Sequence, residues 1–269
     1  MNKSLRKVKP KNANSLYLPN HCKFMKRFFF FAFLVIGLGA CHSSQVVTGI
    51  GFKDYTVTKA LKSDSTVLSM IKIYRDSVDT NMDEVLAISK DELLKDLPNS
   101  TLGNFLADAY LWAAAMHTKQ SVDVAFMNHG GVRINRIAAG KVTRRNIFEV
   151  MPFDNALVVI EIKGSLLKSY LDFLAADGGG GGVAGLSYQI QDKKAVNILV
   201  GGMPLDPNKS YIMANSDYAV DGGGGFNAFK TLQQNRTNYL QRDAILDYCK
   251  MHKAAGKQVV VEQPKRITK

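Results

Sequence analysis

The chain has 269 residues, is 46% hydrophobic and 22% charged, and carries 35 basic against 23 acidic residues, a formal charge of +12. Eight of the basic residues and no acidic one lie in positions 1–40, so the remainder holds 27 against 23, a balance of +4. That argues against a nucleic-acid binder, whose footprint is a clustered basic face, and the roughly 229 residues from Cys41 onward suffice for one large domain.

Residues 1–40 read as an export address. Lys26-Arg27 precede an apolar run from Phe28 to Leu38, then Gly39-Ala40-Cys41. A basic flank, a short apolar core and small residues make a secretory signal, and the run is short for a bilayer span. Leu38-Gly39-Ala40-Cys41 resembles a bacterial lipobox, which implies cleavage before Cys41 and lipidation there; an uncleaved anchor or a core helix is the alternative. Met25 offers a second start, with 1–24 as an extension. Residues 41–63 lack a period and read as a tether, with a short strand expected at Tyr55–Thr58. After Cys22 and Cys41, only Cys249 remains, so no internal disulfide can form in the exported chain.

Further along, Val67, Met70, Ile71 and Tyr74 recur at helical spacing and predict a helix over Thr66–Val78. Glu84–Ser89 reads as a strand. Ser100–Met116 is a helix, capped by Asn99 or Ser100. Val122–Met127 is a short apolar strand that stops at Asn128-His-Gly-Gly-Val-Arg133. Glycines permit close backbone approach, and Arg133 supplies a fork of donors for phosphate or carboxylate, so this strand end reads as an anion or nucleotide rim, with a glycine turn bearing a surface Arg as the alternative. Then come a helix at Thr143–Val150, a strand at Asn155–Lys163, a helix at Ser165–Ala175 and a loop at Gly178–Gly182. A hairpin follows at Leu186–Gln191 and Ala195–Val200, then a strand at Ser210–Ala214. Thr237–Lys253 is expected as the last long helix, with Cys249 packed in it, and Val259–Glu262 as the last strand. The expected fold is α/β, α+β-like: 64–269 as a single domain with a mixed sheet covered by helices.

Five separated motifs share one further property. Leu102-Gly-Asn-Phe-Leu-Ala-Asp-Ala109, Asn128-His-Gly-Gly-Val-Arg133, Met151-Pro-Phe-Asp-Asn155, Gly185-Leu186 and Asp217-Tyr-Ala-Val-Asp-Gly-Gly-Gly-Gly-Phe226 resemble, in order and spacing, the C-terminal domain of the bacterial 5'-nucleotidase and UDP-sugar hydrolase family. The resemblance covers roughly residues 64–250. It implies a domain that binds the nucleoside part of a nucleotide, while a separate metallophosphoesterase domain holds two metals and cleaves phosphate. It implies that Phe153 and Tyr218 sandwich the base, that Asn128 and Asn155 lie beside it, and that Arg133 reaches the phosphate. Asn104 and Asp108 read as buried structural hydrogen-bonders, and His129 as a turn residue.

The chain departs from the family pattern in three places. Only Lys95 stands where the family has another Arg before the Leu-Gly-Asn helix, and it cannot copy a guanidinium fork. Gly224 occupies the position of a ribose-holding Asp, leaving Asp221 as a substitute three residues earlier. No Asp-x-His, Gly-Asn-His or His-x-His setting appears for a two-metal site. Catalytic residues and metal ligands are therefore expected in none of this chain, and divalent metals only in a partner metallophosphoesterase. The expected function is the nucleoside-binding half of a phosphoric monoester hydrolase in nucleotide catabolism, acting on a nucleoside monophosphate and anchored to the cell envelope through Cys41. The alternative is a non-catalytic nucleoside- or nucleotide-binding lipoprotein.

Overall fold

Strands with side chains alternating between two buried faces dominate the architecture, and they follow from the apolar runs. In the computed structural model, which describes Met25, Gly51, 54–56, Thr58, 61–179, 181–262 and 265–269, Ser63–Lys269 forms one compact unit. The expected export address, lipobox and Cys41 lie outside the described residues. Tyr55, Thr56 and Thr58 are not in a strand, contrary to expectation, and Val57 lies outside the described residues.

In chain order the elements are α1 (Ser65–Met82), β1 (Val85–Ser89), β2 (Leu93–Leu94), α2 (Thr101–Thr118), β3 (Val124–Met127), a 3-10 turn (His129–Gly131), β4 (Arg136–Ile137), β5 (Gly140–Thr143) and α3 (Arg144–Val150). There follow β6 (Ala156–Lys163), α4 (Gly164–Ala176), β7 (Gly182–Ala184), β8 (Leu186–Gln191), β9 (Lys194–Val200), β10 (Met203–Pro204), β11 (Ser210–Ser216), α5 (Asp217–Val220), a second 3-10 turn (Asn227–Thr231), β12 (Gln234–Leu240), α6 (Gln241–Ala254) and β13 (Ile267–Thr268).

The central sheet has the order β12-β6-β11-β3-β7; β11 and β3 are parallel and the other pairs antiparallel. Successive strand side chains face opposite ways. Ala125, Met127, Leu157 and Val159 pack with Phe105, Leu106, Tyr110 and Ile245 of α2 and α6. Val124, Phe126, Val158 and Ile160 pack with Leu167, Leu171 and Tyr170 of α4 on the other face. Cover on both faces is why these strands read as nearly continuous apolar runs. A second sheet, β10-β9-β8-β13, contains the expected hairpin.

Local signals set most helix starts. Ser100 accepts from Gly103 N at 2.8 Å, capping α2. Thr143 and Asn146 form a reciprocal capping box at α3. Helix α1 is longer than its period suggested, and it buries none of its side chains: Val67, Met70, Ile71 and Tyr74 are exposed. Cys249 is packed in the core, and burial pushes its thiol up to about 12.

Three further expectations are corrected. Thr237–Leu240 belongs to β12, not to the last helix, which starts at Gln241; a bulge between Arg236 and Leu240, with Asn238 at φ +56, disguises an edge strand. Val259–Glu262 is not a strand: Val259 makes an isolated bridge with Ser89, and the last strand is β13 beside β8. Part of the expected loop 178–182 is ordered: Gly182 opens β7 against Met127. Gly182 also crosses α2 so closely that a Cβ there would stand 1.8 Å from Gly103 O.

Asn104 and Asp108 are structural, as read from the sequence. Asn104 Oδ1 accepts from Val183 N at 3.1 Å. Asp108 takes a forked bond from Arg266 at 2.7 and 2.8 Å, and Arg266 also donates to Val183 O and Glu262 O.

Candidate functional site

The sheet topology brings four chain segments to one edge. β3 and β11 are parallel, so Asn128 and Asp217 leave their carboxyl ends side by side. β6 runs against β11, with Leu157 opposite Ser216, so Asn155 enters where β11 ends. β12 runs against β6, with Leu240 opposite Ala156, so Gln241 leaves at the same place. Crevices outside the carboxyl ends of strands are the usual ligand positions in open sheets.

A cleft of about 280 Å³ opens there. Five of the six sequence-predicted binding residues line it: Asn128, Arg133, Phe153, Asn155 and Tyr218. Phe153 and Tyr218 are 40% and 50% exposed, and among the described residues neither packs against another aromatic ring. Exposed aromatic side chains bordering one cleft can serve as platforms for a flat ligand.

Each ring has a neighbour of its own. The guanidinium of Arg133 lies 5.6 Å from the Phe153 ring centroid, a cation–π contact. Arg242 donates to Phe153 O at 3.4 Å and to Asp154 at 2.5 Å. Tyr218 sits on the glycine loop: a Cβ on Gly223 would be 2.5 Å from Cε1, Cε2 and Cζ alike, which places it over the ring face. Gly223 N donates to Tyr218 O at 2.7 Å.

Asp217 joins the two walls. Its carboxylate accepts from Asn155 Nδ2 at 2.7 Å, Ala156 N at 3.1 Å and Tyr218 N at 2.6 Å. Asn155 thus gives one amide hydrogen to Asp217, while its second N–H and its Oδ1 make no bond to that carboxylate. The sequence motif contains Asp217 but by itself assigns it no role.

The strand end at Asn128-His-Gly-Gly folds as a 3-10 turn, and neither Gly130 nor Gly131 takes a positive φ. A Cβ at Gly131 would meet Met127 Cε at 2.6 Å and Asn128 Oδ1 at 2.8 Å, so those two side chains would have to shift. Arg133 donates to Gly130 O at 3.3 Å from an exposed position. Lys95 donates to Val132 O at 2.8 Å, beside the same rim. A smaller depression of about 230 Å³ shares Asn128, Gly130 and Tyr218 with the cleft and includes His129 and Gly224.

Asp221 is the one predicted binding residue that the structure does not bring to the cleft. Its carboxylate accepts from Arg236 at 2.5 Å. Gly224, at φ +82, has open space around it. Sequence reasoning also misses Gln241, a buried residue of the cleft wall; the only sequence cue, a Gln at a helix start, is hidden because the helical pattern runs back to Thr237. Among the described residues, no group of three or more His, Cys, Asp or Glu side chains is placed to hold a metal ion, and the cleft itself is lined by none of these types. No described helix is long and apolar enough to cross a membrane.

Comparison with known proteins gives the same picture. Residues 84–231 match the family model described as 5'-nucleotidase, C-terminal domain. The chain is 34% identical over 149 residues to Protein UshA of Yersinia enterocolitica, covering 54% of this chain and 27% of that protein. It is 27% identical over 178 residues to a 5'-nucleotidase of Vibrio cholerae, covering 63% and 31%. Among solved structures, a 5'-nucleotidase precursor from Thermus thermophilus superposes with a TM-score of 0.63 at 26% identity, over 76% of this chain and 43% of the other. The chain thus spans less than half the length of each of these relatives.

Proposed function

Because the chain belongs to the 5'-nucleotidase C-terminal domain family, we propose that its cleft holds the nucleoside part of a nucleotide, in the service of nucleotide catabolism. Phe153 and Tyr218 stack on the base. Asn128 and the free Oδ1 of Asn155 meet its polar edges, and Arg133 neutralises the phosphate. The observation that carries this reading is the pair of exposed aromatic rings bordering one cleft at the strand ends. Asp221 is left out of the contacts because Arg236 holds its carboxylate.

The chemical step belongs to residues outside this domain. The cleft offers no carboxylate, imidazole or thiol to bind a metal or activate water. Binding energy from the remote base would instead position the phosphate for a separate metallophosphoesterase. Phosphate release from nucleoside monophosphates tests this. The chain alone, with added divalent metal, should be inactive, and turnover should appear with the partner enzyme. Robust turnover by the chain alone overturns the division of labour.

A second reading, a non-catalytic nucleoside- or nucleotide-binding lipoprotein, is favoured by the open Gly224 position and the occupied Asp221. Tight nucleoside binding without partner-dependent turnover would select it. In either reading residues 1–40 direct export and Cys41 carries the lipid that anchors the chain to the cell envelope. Labelled palmitate should enter the wild type and not Cys41→Ser.

A further inference from the structure

One wall of the cleft carries an unanswered hydrogen-bond donor. Gln241 is 2% exposed and lines the same cleft as Phe153 and Tyr218, yet its Nε2 has no hydrogen-bond partner. Its backbone is fixed, because Gln241 N donates to Asn155 O at 2.8 Å. Only two other buried side-chain atoms among the described residues are unpaired in this way, Tyr188 Oη and His252 Nδ1, and neither residue borders this cleft.

A buried amide left without a partner is costly, and buried polar groups in folded proteins are almost always satisfied. Nε2 is enclosed where it stands, so the cost is recovered if the carboxamide turns toward a ligand that brings the acceptor. The neighbours restrict what that ligand is. Asn155, which borders the cleft beside Gln241, gives one hydrogen of its NH2 to Asp217. Gln241 adds an unpaired amide donor to the same wall. A heterocycle lying between the rings, with a ring nitrogen or carbonyl on its edge, satisfies it.

We propose that Gln241 is a specificity-determining contact, its carboxamide NH2 donating to an acceptor on the edge of the base. The inference rests on the nucleoside-binding reading and sharpens it: the cleft selects bases with a hydrogen-bonding edge over flat rings that merely stack. A site built around such a buried donor discriminates against a ligand lacking the acceptor, because the donor is then left buried and unpaired.

The experiment is calorimetric titration of the full chain with adenosine, inosine and indole riboside, whose bicycle stacks but carries no ring acceptor. The wild type should bind adenosine or inosine about tenfold or more tighter than indole riboside, the loss expected for one buried hydrogen bond. In Gln241→Met, which keeps the length and removes the amide, that gap should close. The unliganded variant should melt at or above the wild-type temperature, since an unpaired buried amide has been replaced by an apolar group. Equal wild-type affinity for all three ligands overturns the Gln241 contact and leaves nucleoside binding intact. A gap that persists in Gln241→Met, or a lower melting temperature for the unliganded variant, overturns it too by making the amide structural. If the wild type binds none of the three, the nucleoside reading fails and this contact with it.

Discussion

Tyr218 lies with one ring face against the backbone of Gly223, so close that even a methyl group could not fit between them. The glycine loop thus acts as a backing plate that leaves the other ring face for a ligand. Gly223 is not in the left-handed region, so an alanine there is acceptable to the backbone and clashes only with the ring. Gly223→Ala should therefore displace Tyr218, cost about 1–3 kcal/mol of overpacking and lower nucleoside affinity. In a Tyr218→Ala background the same change should do little. A double-mutant cycle checks this, and simple additivity of the two changes would refute the contact.

Truncating the platforms separately should show how much each contributes. Phe153→Ala and Tyr218→Ala should each weaken nucleoside binding by about 1–3 kcal/mol, the range for base–aromatic stacking. Stability should shift little, because both rings are substantially exposed. Titration of both variants against a nucleoside, with urea unfolding as the control, is sufficient. Unchanged affinity in the double variant would remove the stacking site.

Asp217 should matter more than any residue that touches ligand directly. Three donors converge on it: one from the Asn155 side chain, one from the Ala156 backbone and one from Tyr218 N. Asp217→Ala should cost roughly 2–3 kcal/mol of stability, as for a charge-assisted bond lost at a half-buried site, and should weaken nucleoside binding as both walls loosen. Asn155→Ala should cost less stability. Equal costs in chemical denaturation would show that Asp217 is not the joint.

Much of this is legible in the sequence, and the misses have identifiable causes. The central strands announce themselves because burial on both faces makes apolar runs, as in Ala156–Lys163. Ser100 and Thr143 announce their helices through cap chemistry. β12 is hidden because an edge strand with a bulge carries little apolar alternation; Arg236, Thr237 and Asn238 could as well open a helix. That error conceals Gln241. At the site, the resemblance of the motifs to the family picks out Asn128, Arg133, Phe153, Asn155 and Tyr218, and all five line one cleft at the strand ends. Asp221 is misplaced for the opposite reason: its partner Arg236 lies fifteen residues away, on a strand that the sequence does not reveal.

The pairing of Asp108 with Arg266 gives a pH signature. Burial raises the Asp108 carboxyl above its ordinary value of 3.8, and the hydrogen bonds and charge of Arg266 oppose but do not cancel that. A carboxyl that holds its proton more tightly when folded adds stability on the acid side, and loses it as pH rises from the unfolded value through the folded one. The unfolding free energy of the wild type minus that of Asp108→Asn should therefore fall as pH climbs upward from about 3.8. Urea titrations across the acid range would show it. A difference that stays flat or grows with pH would contradict the assignment.

The Asp217 carboxylate has a kinetic consequence. Jaws knotted together at their root cannot swing apart to admit a guest, so entry must be sideways, through the open mouth. Capture should then show no slow opening phase, and observed association rates should rise linearly with nucleoside concentration, without a plateau.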